Sequence, residues 1–416
     1  MFDGEQEALK QDALQQEPLE DAALGELPLP HLVIMTPSAD LYGSDRALLA
    51  ALAEFTTRFR VTLVSAADGP MLRAAERLGA GIVITPDWAL RRSGLALGAL
   101  PTTLRTVLNT CSILRRIDRD QGIDLLYVNT VANACLPLLS VTTAAPILVH
   151  AHEVPIDRPR LAGLLFWVAN RVGTAIVANS RFTADEIEKL VPGAAARTSV
   201  VLNGIDVSCV SPGPGSSQSE DSEVSQRRGP SGSLQIVCVG RLHPRKGQMV
   251  LLEALALATQ RGQNWTVHFW GDALEEHRQL EEELHGFVSR HDLGARTVFH
   301  GYSDDLVRQY QDMDVAVIPS VLPEAFSLVT AEAQMAGLPV VATGPGGPDE
   351  IVVEGATGYI VGFDDSVAIY QALSKLEAPE VRSAFGAAGR ERMLARFTAE
   401  RYSRELTDTL VALLVT

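Results

Sequence analysis

The sequence predicts an α/β protein made of two doubly wound, Rossmann-like parallel-sheet domains that face a central cleft. Short runs rich in β-branched residues alternate with amphipathic helical stretches, a pattern typical of parallel sheets covered by helices on both faces. A segment rich in Pro, Gly and Ser divides this series at residues 208–233 and is expected to be a flexible linker. The 416 residues are enough to bury two hydrophobic cores.

Eleven segments are expected to form buried strands. Six precede the linker: HLVIMTP (31–37), RVTLVSA (60–66), GIVIT (81–85), DLLYVNT (124–130), PILVHAH (146–152) and TAIVANS (174–180). Five follow it: LQIVCVG (234–240), WTVHFWG (265–271), RTVFHG (296–301), DVAVIPS (314–320) and PVVAT (339–343). Open sheets of this kind bind ligands outside the carboxyl ends of their strands, so the cleft is the expected site.

Composition and charge narrow the class of protein. Residues 1–26 are acidic and rich in Gln, so a disordered or weakly helical tail is predicted. The net charge of −16 argues against nucleic-acid binding, which needs a basic surface. No signal-peptide pattern and no apolar run long enough to span a bilayer is found, so the cytoplasm is the expected location. A reduced compartment also suits the cysteines, which match no metal or redox spacing: Cys111, Cys135, Cys209 and Cys238.

Two segments of the first half combine apolar residues with arginines, namely residues 90–119 and residues 158–167. Such a surface suits the anionic inner face of a membrane, where the protein would be peripheral. The alternative is a solvated helix face packed on the sheet.

The stretch EAFSLVTAEA places Glu324 before a helix and Glu332 inside it. Ser327 is expected to cap that helix, which Gly337 ends. The amides of Phe326, Ser327 and Leu328 would then lie at the helix start, where the dipole favours a phosphate. Glu332 could accept from sugar hydroxyls, and Glu324 would lie beside the entrance. The alternative is that both glutamates only stabilise the helix.

The segment VGRLHPRKGQ follows a strand and supplies two cations, Arg241 after Gly240 and Lys246 before Gly247. It lacks the glycine before the lysine and the Ser or Thr after it that define a Walker loop. Two cations just past a strand end suit a diphosphate. Only four lysines occur in the chain. Surface solvation alone would seldom place one of them here, so its position favours a role in binding.

Glycines follow two other strands. Gly346 and Gly347 would let the backbone approach a ligand closely, and Gly43 precedes the first helix. A simple tight turn is the alternative at each.

The segment VHAHEVP is expected to place His150, His152 and Glu153 at the cleft. His152 could orient a sugar hydroxyl or assist proton movement. A lone histidine is more often structural, and a metal site is discounted because no third ligand is nearby in sequence.

The ordered set of these segments resembles glycosyltransferase family 4, a group of retaining enzymes with the GT-B fold. The resemblance covers most of residues 31–416, and its strongest parts are PEAFSLVTAEAQMAGLPVVAT, VGRLHPRKGQ and GGPDEIVVEGATGYIV. It implies a first domain of residues 27–207 joined by residues from about 397 to 416, and a second of residues 234–396. It also implies transfer of a sugar from a nucleotide-diphosphate donor to a hydroxyl of a glycan, lipid-linked or other acceptor. No cofactor or essential metal is implied.

The resemblance also implies residue roles. Arg241 and Lys246 would hold the donor diphosphate, and Glu332 would accept from the nucleotide ribose. Glu324 and His152 would lie by the transferred sugar. The remaining implied donor contacts are Gly43, Gly240, Phe326, Ser327, Leu328, Gly346 and Gly347.

One departure is YGSDR, where the family usually has tandem glycines and a glutamate, so Tyr42 and Asp45 are expected to alter the acceptor side. Two other functions stay open: a nucleotide-sugar epimerase of GT-B type, and a non-catalytic nucleotide-sugar-binding protein. The presence of both Lys246 and Glu332 favours the transferase over the non-catalytic protein.

Overall fold

A computed structural model describes residues 28–40, 43–90, 100–207, 232–303 and 305–415. The predicted acidic tail, Tyr42, most of the predicted linker and part of the basic segment 90–119 lie outside the described residues. Within them the chain forms two parallel sheets with helices on both faces, and the predicted α/β architecture is confirmed. No helix in the described ranges is long and apolar enough to cross a membrane.

The first sheet has the strand order β3-β2-β1-β4-β5-β6-β7, with every pair parallel. Its strands are β1 (His31–Thr36), β2 (Arg60–Ser65), β3 (Gly81–Ile84), β4 (Leu125–Val128), β5 (Ile147–Ala151), β6 (Ala175–Ala178) and β7 (Thr198–Val200). The connecting helices are α1 (Gly43–Arg58), α2 (Pro70–Arg77), α3 (Leu100–Gln121), α4 (Leu136–Leu139), α5 (Pro159–Val172) and α6 (Arg181–Leu190).

The second sheet has the order β10-β9-β8-β11-β12-β13, again all parallel. Its strands are β8 (Leu234–Val239), β9 (Trp265–Trp270), β10 (Thr297–Gly301), β11 (Val315–Ile318), β12 (Val340–Thr343) and β13 (Gly358–Val361). Its helices are α7 (Gln248–Gln260), α8 (Arg278–Arg290), α9 (Leu306–Tyr310), α10 (Leu328–Met335), α11 (Pro348–Ile351), α12 (Ser366–Lys375) and α13 (Pro379–Arg396). A last helix, α14 (Ala399–Ala412), follows.

All eleven predicted strands are present, and two further strands were not predicted. Both extra strands, β7 and β13, lie at a sheet edge and are only three and four residues long. Their side chains are mostly exposed or half-buried, so neither carries the continuous apolar run that marks a central strand.

The cores follow from alternation along the strands. In β1, Leu32 and Ile34 pack with α1, α2 and α14 on one face of the sheet. Val33 and Met35 point the opposite way and pack with α3 to α6. Two corresponding clusters cover the second sheet. Each sheet is therefore buried on both faces, which is why its strands read as apolar runs.

The chain crosses between the two sheets twice, and the crossings lie side by side. The amide of Ile205 donates to the carbonyl of Phe397 at 2.8 Å, and the amide of Ala399 returns a bond to Ile205 at 3.0 Å. A Cβ on Gly204 would lie 2.4 Å from the carbonyl oxygen of Thr398, so only glycine permits this close approach. After the second crossing α14 packs on α1, where the Ser403 hydroxyl donates to the Ala50 carbonyl at 2.9 Å.

Candidate active site in the interdomain cleft

A cavity of about 1240 Å³ lies between the carboxyl edges of the two sheets. Residues of both domains line it. Ten of the twelve predicted site residues are among them: Gly43, His152, Gly240, Arg241, Lys246, Glu324, Phe326, Ser327, Leu328 and Glu332. The crossover connections of both sheets thus bring these segments, distant in sequence, to one place.

Lys246 and Glu324 form an ion pair on the wall of this cavity, with 2.6 Å between Nζ and Oε1. The Ser320 hydroxyl, two residues beyond β11, donates to the same carboxylate oxygen at 2.5 Å. Burial alone would raise the pKa of Glu324, but the ammonium and the hydroxyl outweigh it and lower the pKa to about 2. Glu324 is therefore ionised at neutral pH and is already a partner of the lysine.

The loop that carries Lys246 has a fixed shape. Residues Pro244–Lys246 form a short 3₁₀ turn that His243 caps, its Nδ1 accepting from the Arg245 amide at 3.0 Å. Gly247 then adopts φ 67°, and a Cβ there would lie 1.8 Å from the Pro319 carbonyl oxygen. Glycine is required at this point, because it lets the loop lie directly against the end of β11.

Ser327 differs from its predicted role as a helix cap. It precedes α10 in the left-handed region, at φ 75° and ψ 80°, and its side chain does not bond a helix amide. The hydroxyl bonds to Thr330 Oγ1 at 2.8 Å instead. The predicted capping bond is therefore wrong. Helix α10 begins at the cavity wall without a side-chain cap, which leaves the dipole at its start available to an anion.

Glu332 lies on α10 and is buried, with 2% of its side chain exposed. Its Oε1 lies 2.7 Å from Nη2 of Arg46, which belongs to α1 of the other domain. The hydroxyl of Tyr310 lies 3.5 Å from Oε2. Burial raises the pKa of Glu332, and Arg46 acts against that effect. The sequence predicted that Glu332 accepts from sugar hydroxyls, but it did not predict its pairing with Arg46.

The two predicted histidines have different surroundings. His152, just beyond β5, lines the cavity, and its Nε2 lies 2.7 Å from Oδ1 of Asn129. Burial lowers the pKa of His152 to about 4, so it is neutral at pH 7. His150 was predicted to face the cleft, and this is wrong. It lies within β5 and is fully buried, with its Nδ1 2.6 Å from the Tyr127 hydroxyl.

The predicted glycines are divided between two places. A Cβ on Gly43 would lie 3.2 Å from Cδ1 of Leu328, so the start of α1 approaches the start of α10 across the cleft. Gly346 and Gly347, also predicted as donor contacts, are not among the residues that line the cavity. A Cβ on Gly347 would lie 2.3 Å from Cα of Phe326. These glycines let their turn pack behind the loop that bears Glu324.

Several residues near the site were not predicted: Arg46, Asn129, Tyr310, Ser320 and Glu350. Glu350 accepts from the amide of Phe182 at 3.1 Å and so provides a second contact between the domains. Asp45, predicted to affect the acceptor side, is buried and accepts from Ser38 at 2.7 Å, away from the cavity lining. Among the described residues, no three His, Cys, Asp or Glu side chains are grouped as metal ligands.

Two facing Rossmann-like domains with a cavity between their strand ends form the GT-B fold, and solved structures share it. The structure of Alr3699/HepE from Anabaena in complex with UDP and glucose has a TM-score of 0.74 at 24% identity, covering 91% of this chain and 99% of that one. A glycosyltransferase from Rickettsia africae has a TM-score of 0.77 at 16% identity, covering 93% of this chain and 99% of that one.

Sequence comparisons give the family. Residues 43–208 match the model described as Glycosyltransferase Family 4, and residues 233–378 match that described as Glycosyl transferases group 1. The chain belongs to glycosyltransferase family 4, as its sequence motifs predicted.

Two relatives are similar over different lengths. The D-inositol 3-phosphate glycosyltransferase of Corynebacterium urealyticum is 30% identical over 243 residues, which are 56% of this chain and 55% of that protein. The match thus spans about half the length of that relative. The GDP-mannose-dependent alpha-(1-6)-phosphatidylinositol monomannoside mannosyltransferase of Mycolicibacterium smegmatis is 28% identical over 326 residues, covering 73% of this chain and 81% of that protein.

Proposed function

We propose that the protein transfers a sugar from a nucleotide-diphosphate sugar to a hydroxyl of an acceptor, with retention at the anomeric carbon and without an essential metal. One observation supports this most strongly: the cations of the Gly240–Lys246 loop line the same cavity as the uncapped start of α10 and the carboxylate of Glu324. Cations and a helix start favour a diphosphate, and a carboxylate suits sugar hydroxyls.

The chemistry follows from the charge of the leaving group. As the bond between the sugar and the phosphate breaks, negative charge grows on the diphosphate. Arg241, Lys246 and the start of α10 would stabilise that charge without rearrangement, which lowers the barrier to bond cleavage. The acceptor hydroxyl would attack from the face that the leaving group vacates and pass its proton to the departing phosphate.

Glu324 would serve as a positioning group and not as a nucleophile. Its carboxylate is ionised, but one oxygen already accepts bonds from Lys246 and Ser320. Such an oxygen is a weaker nucleophile because its charge is shared with both donors. When the diphosphate engages the ammonium, the carboxylate can accept from a sugar hydroxyl instead.

A panel of nucleotide sugars that begins with UDP-glucose and GDP-mannose tests the proposal by thermal shift and by sugar transfer in the presence of EDTA. A donor at 100 times its dissociation constant should stabilise the protein by about 2.7 kcal/mol. The Lys246→Met variant should lose this shift, and NMR of the product should show the anomeric configuration of the donor. No shift with any nucleotide sugar or nucleoside diphosphate would overturn the proposal. Epimerised sugar without transfer would favour the epimerase, and binding without turnover would favour the non-catalytic protein.

We further propose that the first domain lies on the anionic inner surface of a membrane. Two helices on the same face of its sheet expose large apolar side chains: Leu104 and Leu108 on α3, and Leu164 and Trp167 on α5. Arginines accompany them along both helices: Arg105, Arg115, Arg116, Arg160 and Arg171. Exposed apolar residues beside arginines are the composition of an interfacial helix.

Flotation with phosphatidylglycerol vesicles tests this surface. The Leu164→Ser, Trp167→Ser double variant should bind less than the wild type. Val367→Ser, which removes an exposed apolar residue from the second domain, should bind normally. Equal flotation of all three proteins, or none at low salt, would contradict a membrane surface on α5. Membrane-bound protein would favour a lipid-linked acceptor over a soluble glycan.

A further inference from the structure

Arg46 reaches across the cleft to a residue that the sequence places in the donor site. It lies in the first turn of α1, and its guanidinium approaches the Glu332 carboxylate of the opposite domain to 2.7 Å. Both residues line the cavity, yet only 2% of the glutamate side chain is exposed, against 39% of the arginine. The arginine is thus the solvent-side member of a pair whose carboxylate is almost fully enclosed.

A carboxylate enclosed to this degree needs a partner to stay ionised. The charged or titratable side chains that act on Glu332 are Arg46 from α1 and Tyr310 from α9. Arg390 on α13, which packs against α10, donates to the Met335 carbonyl at the far end of that helix. The tyrosine hydroxyl lies at 3.5 Å, too far for a strong hydrogen bond. Arg46 is therefore the cation on which the charge of Glu332 depends.

We propose that Arg46 is a positioning residue of the donor site, which holds the Glu332 carboxylate ionised and oriented from the opposite domain. The proposal rests on the proposed function, in which Glu332 accepts from the ribose hydroxyls of the donor. An ionised carboxylate offers only acceptors to two neighbouring hydroxyls, whereas a protonated one must itself donate. Loss of the arginine would thus weaken donor binding even though its own guanidinium need not contact the ribose.

The local backbone supports this role. Gly43, one turn before Arg46, lies so close to Leu328 that a Cβ would approach Cδ1 to 3.2 Å. The start of α1 therefore lies directly against the start of α10, and a side chain from the first turn of α1 reaches Glu332 one turn into the facing helix. The contact is a single approach of Nη2 to Oε1 at 2.7 Å, so what Arg46 supplies to the pair is chiefly its positive charge, which a lysine also carries.

The test is the dissociation constant of the best-binding nucleotide sugar, measured by calorimetry between about pH 5 and pH 9. It compares the wild type with Arg46→Gln, Arg46→Lys and Glu332→Gln. Arg73→Gln is the matched control, because Arg73 is 65% exposed on the same domain and its nearest carboxylate is 3.9 Å away. Melting of each variant without ligand at pH 7 shows that it is folded.

We expect Arg46→Gln to raise the pKa of Glu332, so that its donor affinity recovers only at a higher pH than in the wild type. Below that midpoint affinity should fall tenfold for each pH unit, because the carboxylate must first lose a proton. Arg46→Lys should keep a midpoint near that of the wild type. Glu332→Gln should bind weakly at every pH, with no midpoint.

Two results would overturn the role of Arg46 and leave the proposed function intact. One is an Arg46→Gln variant with the affinity and midpoint of the wild type. The other is a loss of affinity by the same factor at every pH, which would indicate a structural defect unrelated to ionisation. If the wild type binds no nucleotide sugar, the proposed function itself fails, and the role of Arg46 fails with it.

Discussion

The pair of Lys246 and Glu324 allows a prediction about stability that needs no ligand. Replacing Lys246 by Met removes the ammonium and leaves a carboxylate that is only 16% exposed, with the hydroxyls of Ser320 and Ser327 as its remaining partners. Such a change destabilises because the remaining charge is no longer compensated. We therefore expect Lys246→Met to melt below the wild type at pH 7.

The magnitude follows from the titration of Glu324. Its pKa is about 2 in the folded protein, against an ordinary value of 4.5. At 1.36 kcal/mol for each pKa unit, this difference corresponds to about 3 kcal/mol. Lys246 is 37% exposed, so water screens part of the interaction and we expect about 2 kcal/mol. For a domain of this size that is a fall of about 4–8 °C in melting temperature.

The pH dependence has a definite sign. The folded pKa of Glu324 lies below its unfolded value, so the stabilisation is complete above about pH 4.5 and is lost as the pH falls through about 2. The difference in melting temperature between wild type and Lys246→Met should therefore shrink by about half between pH 7 and pH 3. Circular dichroism at the two pH values measures it.

Lys189→Met is the matched control. Lys189 forms an ion pair of the same length, 2.6 Å to Glu186, but it is 68% exposed, and such pairs contribute little. The reasoning is refuted if Lys246→Met melts within 1 °C of Lys189→Met at pH 7, or if its deficit is as large at pH 3 as at pH 7. Adding Glu324→Gln to Lys246→Met should restore part of the lost stability, because the unpaired charge is then absent.

Three further predictions concern the loop, the interdomain contact and the histidine. Gly247→Ala should lower the melting temperature and weaken donor binding, because its Cβ would meet the Pro319 carbonyl oxygen at 1.8 Å. Gly262→Ala is the control, since Gly262 also has a positive φ but lies in open space. It should lower the free energy of unfolding by only about 1 kcal/mol. Glu350→Ala should leave each domain folded but increase the radius of gyration in solution scattering, since it removes a bond to the Phe182 amide; an unchanged radius would contradict this. The NMR signal of His152 should show no midpoint between about pH 5.5 and pH 8, because burial lowers its pKa to about 4. The contribution of His152 to the free energy of unfolding should fall as the pH drops from about 6.5 towards 4.

The sequence predicted the central strands well because burial on both faces leaves a direct signal, an apolar run between turns. The edge strands β7 and β13 carry no such signal, since one side of each meets solvent. The wrong prediction for His150 has a different cause, which is the position at which its strand ends. Its place in the pattern looked like that of His152, but β5 continues to Ala151, and covering helices enclose the earlier ring.

The site was predictable in its segments but not in its pairings. Glu324 and Lys246 were expected in one cleft as separate contacts, and only the fold shows that they bind each other. Arg46 stands in a stretch that the sequence singled out for its glycine, yet nothing local indicates that its partner lies in the other domain. Gly347 was predicted to let the backbone approach a ligand, and the group that it approaches in the structure is the backbone of Phe326.

The side-by-side crossings at Ile205 and Phe397 make α14 indispensable to the first domain. Tyr402, Leu406 and Leu410 on α14 complete the core beneath α1, although they follow the whole second domain in the sequence. A stop codon shortly after residue 398 would therefore leave the second domain complete in sequence and the first with an open apolar face. During synthesis the first domain must wait for the whole second domain to emerge before it can close its own core.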